Sequence, residues 1–436
     1  MLRTIPLAVL ATTALTTSAS FAATWELVNI YDPTAGVTQF GNSVSIHGDD
    51  LVVGNADNVE GAQLFDAESF ADLREFTSSD TEVTVQPSAA VAQNSSQVAS
   101  MGSKLYEDPA KEGNRNSTAP YERVFIFDKA SGVQQLELGA PDFSDHSDGF
   151  GTAIALSENR ALVGARFTDK NGVDRAGAAY LYDLADGSLI AELDKTLDPA
   201  FGSANTNERF GDAVAINSTT AAVGAFRDDD FGGNQAGAVY LFDALTGGFE
   251  LSFGDPNSRS NGYFGEALAM TETGLLVGAS GGAGTGFAYY YDLATLLAGD
   301  TNPLYSFDLS MTDLLGDDLT DSDNFGRSVA LTDEYAFVSA EITRSLGADG
   351  IRMDGNVFAF DLSDGSFVET LDFSPFDKSL DFGTSLSAFG DTLVVGTANG
   401  GSGEVLQFEL AAVPLPAPLA LLAGGIGVLA MARRRG

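Results

Sequence analysis

Phe210-Gly211-Asp212-Ala213-Val214-Ala215, then Ala222-Val223-Gly224-Ala225, then Gly237-Ala238-Val239-Tyr240-Leu241-Phe242-Asp243, make up one unit of a repeat. Phe-Gly recurs at Phe40-Gly41, Phe150-Gly151, Phe264-Gly265, Phe325-Gly326 and Phe382-Gly383. From Phe40 onward the successive spacings are 110, 60, 54, 61 and 57 residues. The first gap is two periods long, so one unit inside it has lost the pair. It aligns on Val91-Ala92, Val98-Ala99 and Val124-Phe125-Ile126-Phe127-Asp128, which brings the total to seven.

The interior of each unit predicts four short strands. After Phe-Gly, small and branched residues alternate, as in Ala153-Ile154-Ala155 and Ser328-Val329-Ala330, the period-two mark of a strand. A short turn leads to a second apolar strand that usually ends in Gly, as in Leu162-Val163-Gly164 and Leu276-Val277-Gly278. A variable loop precedes an aromatic third strand closed by an acid, as in Ala179-Tyr180-Leu181-Tyr182-Asp183. Asp183 then leads to Gly187, Asp243 to Gly247 and Asp361 to Gly365. These are bulged hairpin turns, with Asp at the first turn position and Gly at the left-handed one.

Seven four-stranded units at this period predict an all-β, seven-bladed β-propeller. The last unit stops after its third strand, Glu404 to Leu410, while an orphan strand, Trp25 to Ile30, precedes the first Phe-Gly. Joining the two would close the ring and leave no free sheet edge. The Phe-Gly and Gly-Ala pattern resembles the FG-GAP repeat of integrin α-subunit propellers and bacterial surface proteins, over roughly residues 25 to 410. The third letter departs, with Gly164-Ala165-Arg166, Gly224-Ala225-Phe226 and Gly278-Ala279-Ser280 standing where Gly-Ala-Pro is usual. The resemblance also implies calcium loops between first and second strands. Here those turns are too short to wrap a cation that needs six to eight oxygens, so these sites are not carried over.

The ends of the chain read as addresses. Arg3, an apolar run and Ser20-Phe21-Ala22 predict a signal peptide over residues 1–22, leaving the propeller at 23–410. Val413 to Ala432 is uncharged and about as long as a transmembrane helix, with Arg433, Arg434 and Arg435 behind it as a cytoplasmic stop. Val413-Pro414-Leu415-Pro416-Ala417 resembles the VPLPA-type sorting tails of Gram-negative bacteria, similar to PEP-CTERM tails. The resemblance implies an exosortase-like protease at the inner membrane and delivery to the cell surface or matrix, with residues 411–436 as the sorting tail.

The chain has 61 Asp and Glu against 22 Lys and Arg, a net charge of -39, and no Cys. Such a body repels nucleic acid, and disulfides and thiol chemistry are absent. The loops between second and third strands and between units are long, share one end of the ring and are acidic. They contain Asp145, Asp148, Asp228, Asp229, Asp230, Asp317, Asp318, Asp321 and Asp323, with Asp377 and Asp381. Asp169, Asn171 and Asp174 form a weak calcium-loop pattern. No motif demands a cofactor, and calcium is the one candidate, on these acids; a plainly solvated acidic surface accounts for them as well. Phosphate-loop and zinc-protease motifs are absent, so a binding role for a glycan, matrix polymer or protein is expected rather than an enzyme. A carbohydrate-active hydrolase or lyase and a structural spacer stand as alternatives.

Overall fold

In the computed structural model, the described residues are 24–32, 40–54, 62–76, 83–84, 90–104, 121–141, 148–200, 205–282, 286–312, 323–345, 351–371, 382–397 and 403–411. The signal peptide, the sorting tail with Val413–Ala417 and Arg433–Arg435, and the acids Asp145, Asp317, Asp318, Asp321, Asp377 and Asp381 lie outside them. Among the described residues no helix is long and apolar enough to cross a membrane.

Seven antiparallel sheets follow one another along the chain. Unit three shows the plan. Phe150–Leu156 pairs with Arg160–Ala165, which pairs with Ala178–Asp183, which pairs with Leu189–Leu193. Units one, four, five and six repeat this order. Unit two, which lacks Phe-Gly, keeps the four strands Val91–Gln93, Gln97–Lys104, Tyr121–Asp128 and Gln134–Leu138. It adds the short strand Val83–Thr84 against Gln97–Lys104. First strands of neighbouring sheets pack together all the way round, and Phe382–Phe389 of unit seven lies against Ser43–His47 of unit one. The result is a seven-bladed β-propeller. In the seventh sheet, Phe382–Phe389, Thr392–Thr397 and Glu404–Leu410 are followed by Trp25–Tyr31, which pairs antiparallel with Glu404–Leu410.

The repeat motif has a packing reason. Each Phe of Phe-Gly is buried against an aromatic side chain of its own third strand. Phe150 meets Tyr180 at 5.7 Å, Phe210 meets Tyr240 at 5.2 Å and Phe325 meets Phe358 at 5.7 Å between ring centroids. The Gly that ends the second strand lies against the Gly of the next unit's Phe-Gly. A Cβ on Gly164 would sit 2.0 Å from the carbonyl oxygen of Gly211, and one on Gly224 equally close to that of Gly265. Only glycine lets two sheets approach so closely. Gly396 faces Gly41 with the same 2.0 Å contact. Between blades, Leu162 and Leu181 of unit three share a core with Phe210, Val223 and Tyr240 of unit four.

The hairpin turns match their sequence. Gly187, Gly247 and Gly365 adopt φ of 74°, 74° and 75°, and each backbone N–H returns to the carbonyl of Asp183, Asp243 or Asp361. The Asp carboxylates accept backbone N–H groups inside these turns, as Asp243 does from Leu245 and Thr246. Unit five departs from the pattern. Its Asp292 caps a short helix, Leu293–Leu297, by accepting from the Thr295 N–H at 2.8 Å.

Candidate binding surface

The antiparallel strands sort the connections onto two ends of the ring. At one end, the short turns between first and second strands from all seven units surround a cavity of about 680 Å³ on the axis. Its rim is locked by side chains. Ser95 Oγ donates to Glu158 at 2.5 Å, and Ser218 Oγ donates to Glu272 at 2.5 Å, the same contact between different neighbouring blades. The His47 ring lies 4.6 Å from that of Phe389, tilted by 48°; burial, then the nearby Lys129 charge, hold its pKa below the usual histidine value.

The long loops occupy the other end. In units three and four they are fastened to the next link by backbone hydrogen bonds. The Asn207 N–H donates to Asp174 O at 2.9 Å, and the Asn261 N–H donates to Asn234 O at 2.7 Å. Asp169 accepts from the Arg175 N–H at 2.8 Å, and Asp229 takes the same role toward the Gln235 N–H. These two carboxylates therefore brace their own loops. Asn171 is exposed at φ 53° in a tight turn closed by Lys170 and Val173, and Asp174 is exposed. Asp148 and Asp323 are buried two residues ahead of a Phe-Gly, at the repeat position that Glu208 holds in unit four.

Among the described residues one group of three acids converges: Glu208, Asp228 and Asp230, with oxygens within 4.8 Å of one another. A cation of the protein's own already stands among them. Lys195 Nζ lies 2.5 Å from Glu208 Oε1, 3.0 Å from Asp228 Oδ2 and 2.5 Å from Asp230 Oδ2. Lys195, Glu208 and Asp228 are at most 2% exposed. Tyr240 donates its hydroxyl to Asp228 at 2.6 Å. Burial alone would lower the Lys195 pKa, but the charge of Asp228 and the bonds to Asp230 and Glu208 outweigh it and hold the ammonium well above its usual value. Three carboxylates share that ammonium, and burial pushes Glu208 up. Asp228 and Asp230, read from the sequence as candidate ligands on an acidic rim, thus belong to an ion-pair network with Lys195, Asp228 buried within it and Asp230 exposed at its edge.

Beside this network the same loops gather arginines around two phenyl rings. Guanidinium carbons lie over Phe167 at 4.8 Å from Arg166, 5.6 Å from Arg175 and 5.2 Å from Arg209. Arg209 is also 5.6 Å from Phe226, and Arg227 is 5.2 Å from it. Tyr263 closes edge-on against Phe226 at 5.5 Å. Neither this cluster nor Lys195 was singled out by motif. The available signal was charge placement: of 22 basic residues, Arg160, Arg166, Lys170, Arg175, Lys195, Arg209 and Arg227 fall within one 68-residue stretch.

A family model described as FG-GAP repeat matches residues 133–182 and 202–242, which include both of these loops. No curated protein matches. Among solved structures, the crystal structure of Chaetomium thermophilum Raptor aligns with a TM-score of 0.54 at 12% identity, over 91% of this chain and 30% of that one. The chain therefore spans under a third of that protein, and the likeness is one of fold.

Proposed function

We propose that this FG-GAP β-propeller is an exported surface or matrix protein that binds a glycan, a matrix polymer or a protein through its long-loop end, and that it is a binder rather than an enzyme. The observation that carries this reading is the hydrogen-bonded bracing of the long loops of units three and four. The loop carbonyls of Asp174 and Asn234 are tied to the next link, and Asp169 and Asp229 brace the loops from within. A rigid scaffold that presents long, fixed loops is the usual architecture of a recognition surface. The signal peptide, the Val413–Ala417 motif and Arg433–Arg435 supply the export and sorting half of the proposal, with cleavage near the motif. Pairing of Trp25–Tyr31 with the last sheet is read as the latch that closes the ring.

The absence of native Cys allows a direct test. A single Cys at Asp174, on the long-loop end, or at Thr273, on the opposite end, can carry a bulky thiol label. Binding of the labelled protein to isolated cell-surface material should be lost for D174C and kept for T273C. Equal binding by both labelled proteins would refute the use of this end. Intact-mass measurement of the secreted protein checks the sorting half, since an uncut C-terminus is incompatible with it.

A further inference from the structure

We propose that Arg166, Arg175, Arg209 and Arg227, set about Phe167 and Phe226, form a binding site for an anionic oligosaccharide whose carboxylate or sulfate groups lie between the guanidiniums and whose ring faces stack on the phenyls. This rests on the surface-binding reading and names its ligand class.

The argument begins with pairing. The protein carries 61 acids. Yet among the described residues only Arg166 of these four has a carboxylate partner, Asp212 at 2.7 Å. Among the described residues Arg175, Arg209 and Arg227 show no carboxylate within ion-pair distance, and Arg209 Nε donates to Asn207 Oδ1 at 3.4 Å. The Nε of Arg166 and that of Arg227 are buried with no acceptor. Arg209 lies between the two rings; burial, then the charge of Arg227, pull its pKa down, and Arg166 and Arg175 add to the effect while Asp212 opposes it. Glu266 also faces the cluster and feels the charge of Arg227, but it is engaged by the Ser280 hydroxyl. Four like charges held together with one direct carboxylate partner among them are a cost to folding that a bound anion reduces.

The fold does not ask for these charges. Arg175 and Arg209 have left-handed backbones, φ 51° and 57°, and so do Gln235 and Tyr263 at the same places one unit later, φ 51° and 55°. The repeat dictates the bend, and Gln or Tyr satisfies it. Guanidiniums present planar paired donors that match carboxylate and sulfate, and they retain that capacity while stacked on an aromatic ring. A net charge of -39 disfavours a densely charged polymer such as DNA, which carries a charge about every 1.7 Å. A saccharide spaces its charges by whole rings and offers apolar ring faces in between. That alternation matches arginines interleaved with Phe167 and Phe226.

Titration calorimetry of the purified full chain at low salt tests this with four probes: trigalacturonate, a sulfated heparin-type tetrasaccharide, neutral maltotriose and triglutamate. The charged saccharides should bind, more weakly as salt rises, with maltotriose and triglutamate at least tenfold poorer. R175Q, which installs the residue unit four uses, and R209Q should each weaken binding roughly tenfold without lowering the melting temperature. Preference for trigalacturonate or for the sulfated probe assigns the anion. Equal binding of charged and neutral sugars, tighter binding of triglutamate, wild-type affinity in both variants, or no binding at all would overturn the site. If the site fails while labelled D174C still blocks attachment to cell-surface material, the surface-binding reading survives without it.

Discussion

Gly164 and Gly211 meet backbone to backbone across the boundary between the third and fourth blades, so closely that a methyl on Gly164 would lie 2.0 Å from the Gly211 carbonyl oxygen. The contact recurs between Gly224 and Gly265 and between Gly278 and Gly326. Unit six has Ser339 at this place, where its Cβ lies against Gly383. That interface has therefore adjusted to a side chain, as has the one between units two and three, where Met101 lies against Gly151. Gly164→Ala should fold but lose about 1–3 kcal/mol, the usual range for overpacking. A melting temperature unchanged from wild type would show that the blade spacing is freely adjustable.

Lys195 offers a second measurement. Removing it leaves Glu208 and Asp228 buried without a counter-charge, and breaking such a pair typically costs about 3–5 kcal/mol. Lys195→Ala should fall in that range by chemical denaturation. It should also acquire calcium-dependent stability, because three carboxylate oxygens then converge on the vacated volume. Millimolar calcium should raise the melting temperature of the variant much more than that of the wild type. Equal shifts would mean that the ammonium does not hold the cation position.

Two groups of acids set opposite pH dependences. Burial raises the pKa of Glu122, Glu208 and Glu266 above the ordinary 4.5. The folded state then holds their protons more tightly than the unfolded chain does, so stability falls as pH rises from that value through the raised pKa. Asp66, Asp128, Asp243 and Asp292 are held below the ordinary 3.8 by hydrogen bonds from Ser or Thr in their turns. Their contribution is present above that value and is lost as pH falls through the lowered pKa. The melting temperature should therefore climb as pH falls toward 4.5 and drop once pH falls below 3.8. A profile with no rise on the approach to 4.5 would contradict the buried-acid half.

Trp25, the only tryptophan, reports on the first strand. It is buried edge-on against Tyr335 at 5.5 Å and Phe337 at 4.9 Å in unit six, and its backbone N–H donates to Glu369. Trp25→Ala should cost about 3–5 kcal/mol. In the wild type, tryptophan fluorescence and far-ultraviolet circular dichroism should lose signal in one shared transition. An earlier fluorescence transition would mean that the strand detaches before the propeller melts.

The fold was legible because the repeat is a local pattern. Phe210-Gly211, the alternating strand after it and the aromatic strand ending at Asp243 lie within one unit, and each reflects burial that the unit repeats. Val91, Val98 and Val124 kept the register of unit two even though its Phe-Gly is gone. The surface was less legible because it is assembled between units. Lys195 ends one blade while Asp228 and Asp230 lie in a loop of the next. Arg166 and Arg209 are 43 residues apart and share the Phe167 ring only because successive blades stack. Asp228 looked like its acidic neighbours in sequence, and only burial beside Lys195 separates it from them. In unit five, Leu293–Leu297 is a run of good helix formers behind an Asp cap, so a helical turn replaced the hairpin found elsewhere.

The strand Glu404–Leu410 lies between Thr392–Thr397 on one side and Trp25–Tyr31 on the other, hydrogen-bonded to both. It is also the strand from which the C-terminal segment departs. A pull on that segment meets two ladders loaded along their length, whose bonds must break together rather than one after another. For a chain tethered through that segment, as the proposed sorting tail implies, the seventh sheet would be the part that bears the load.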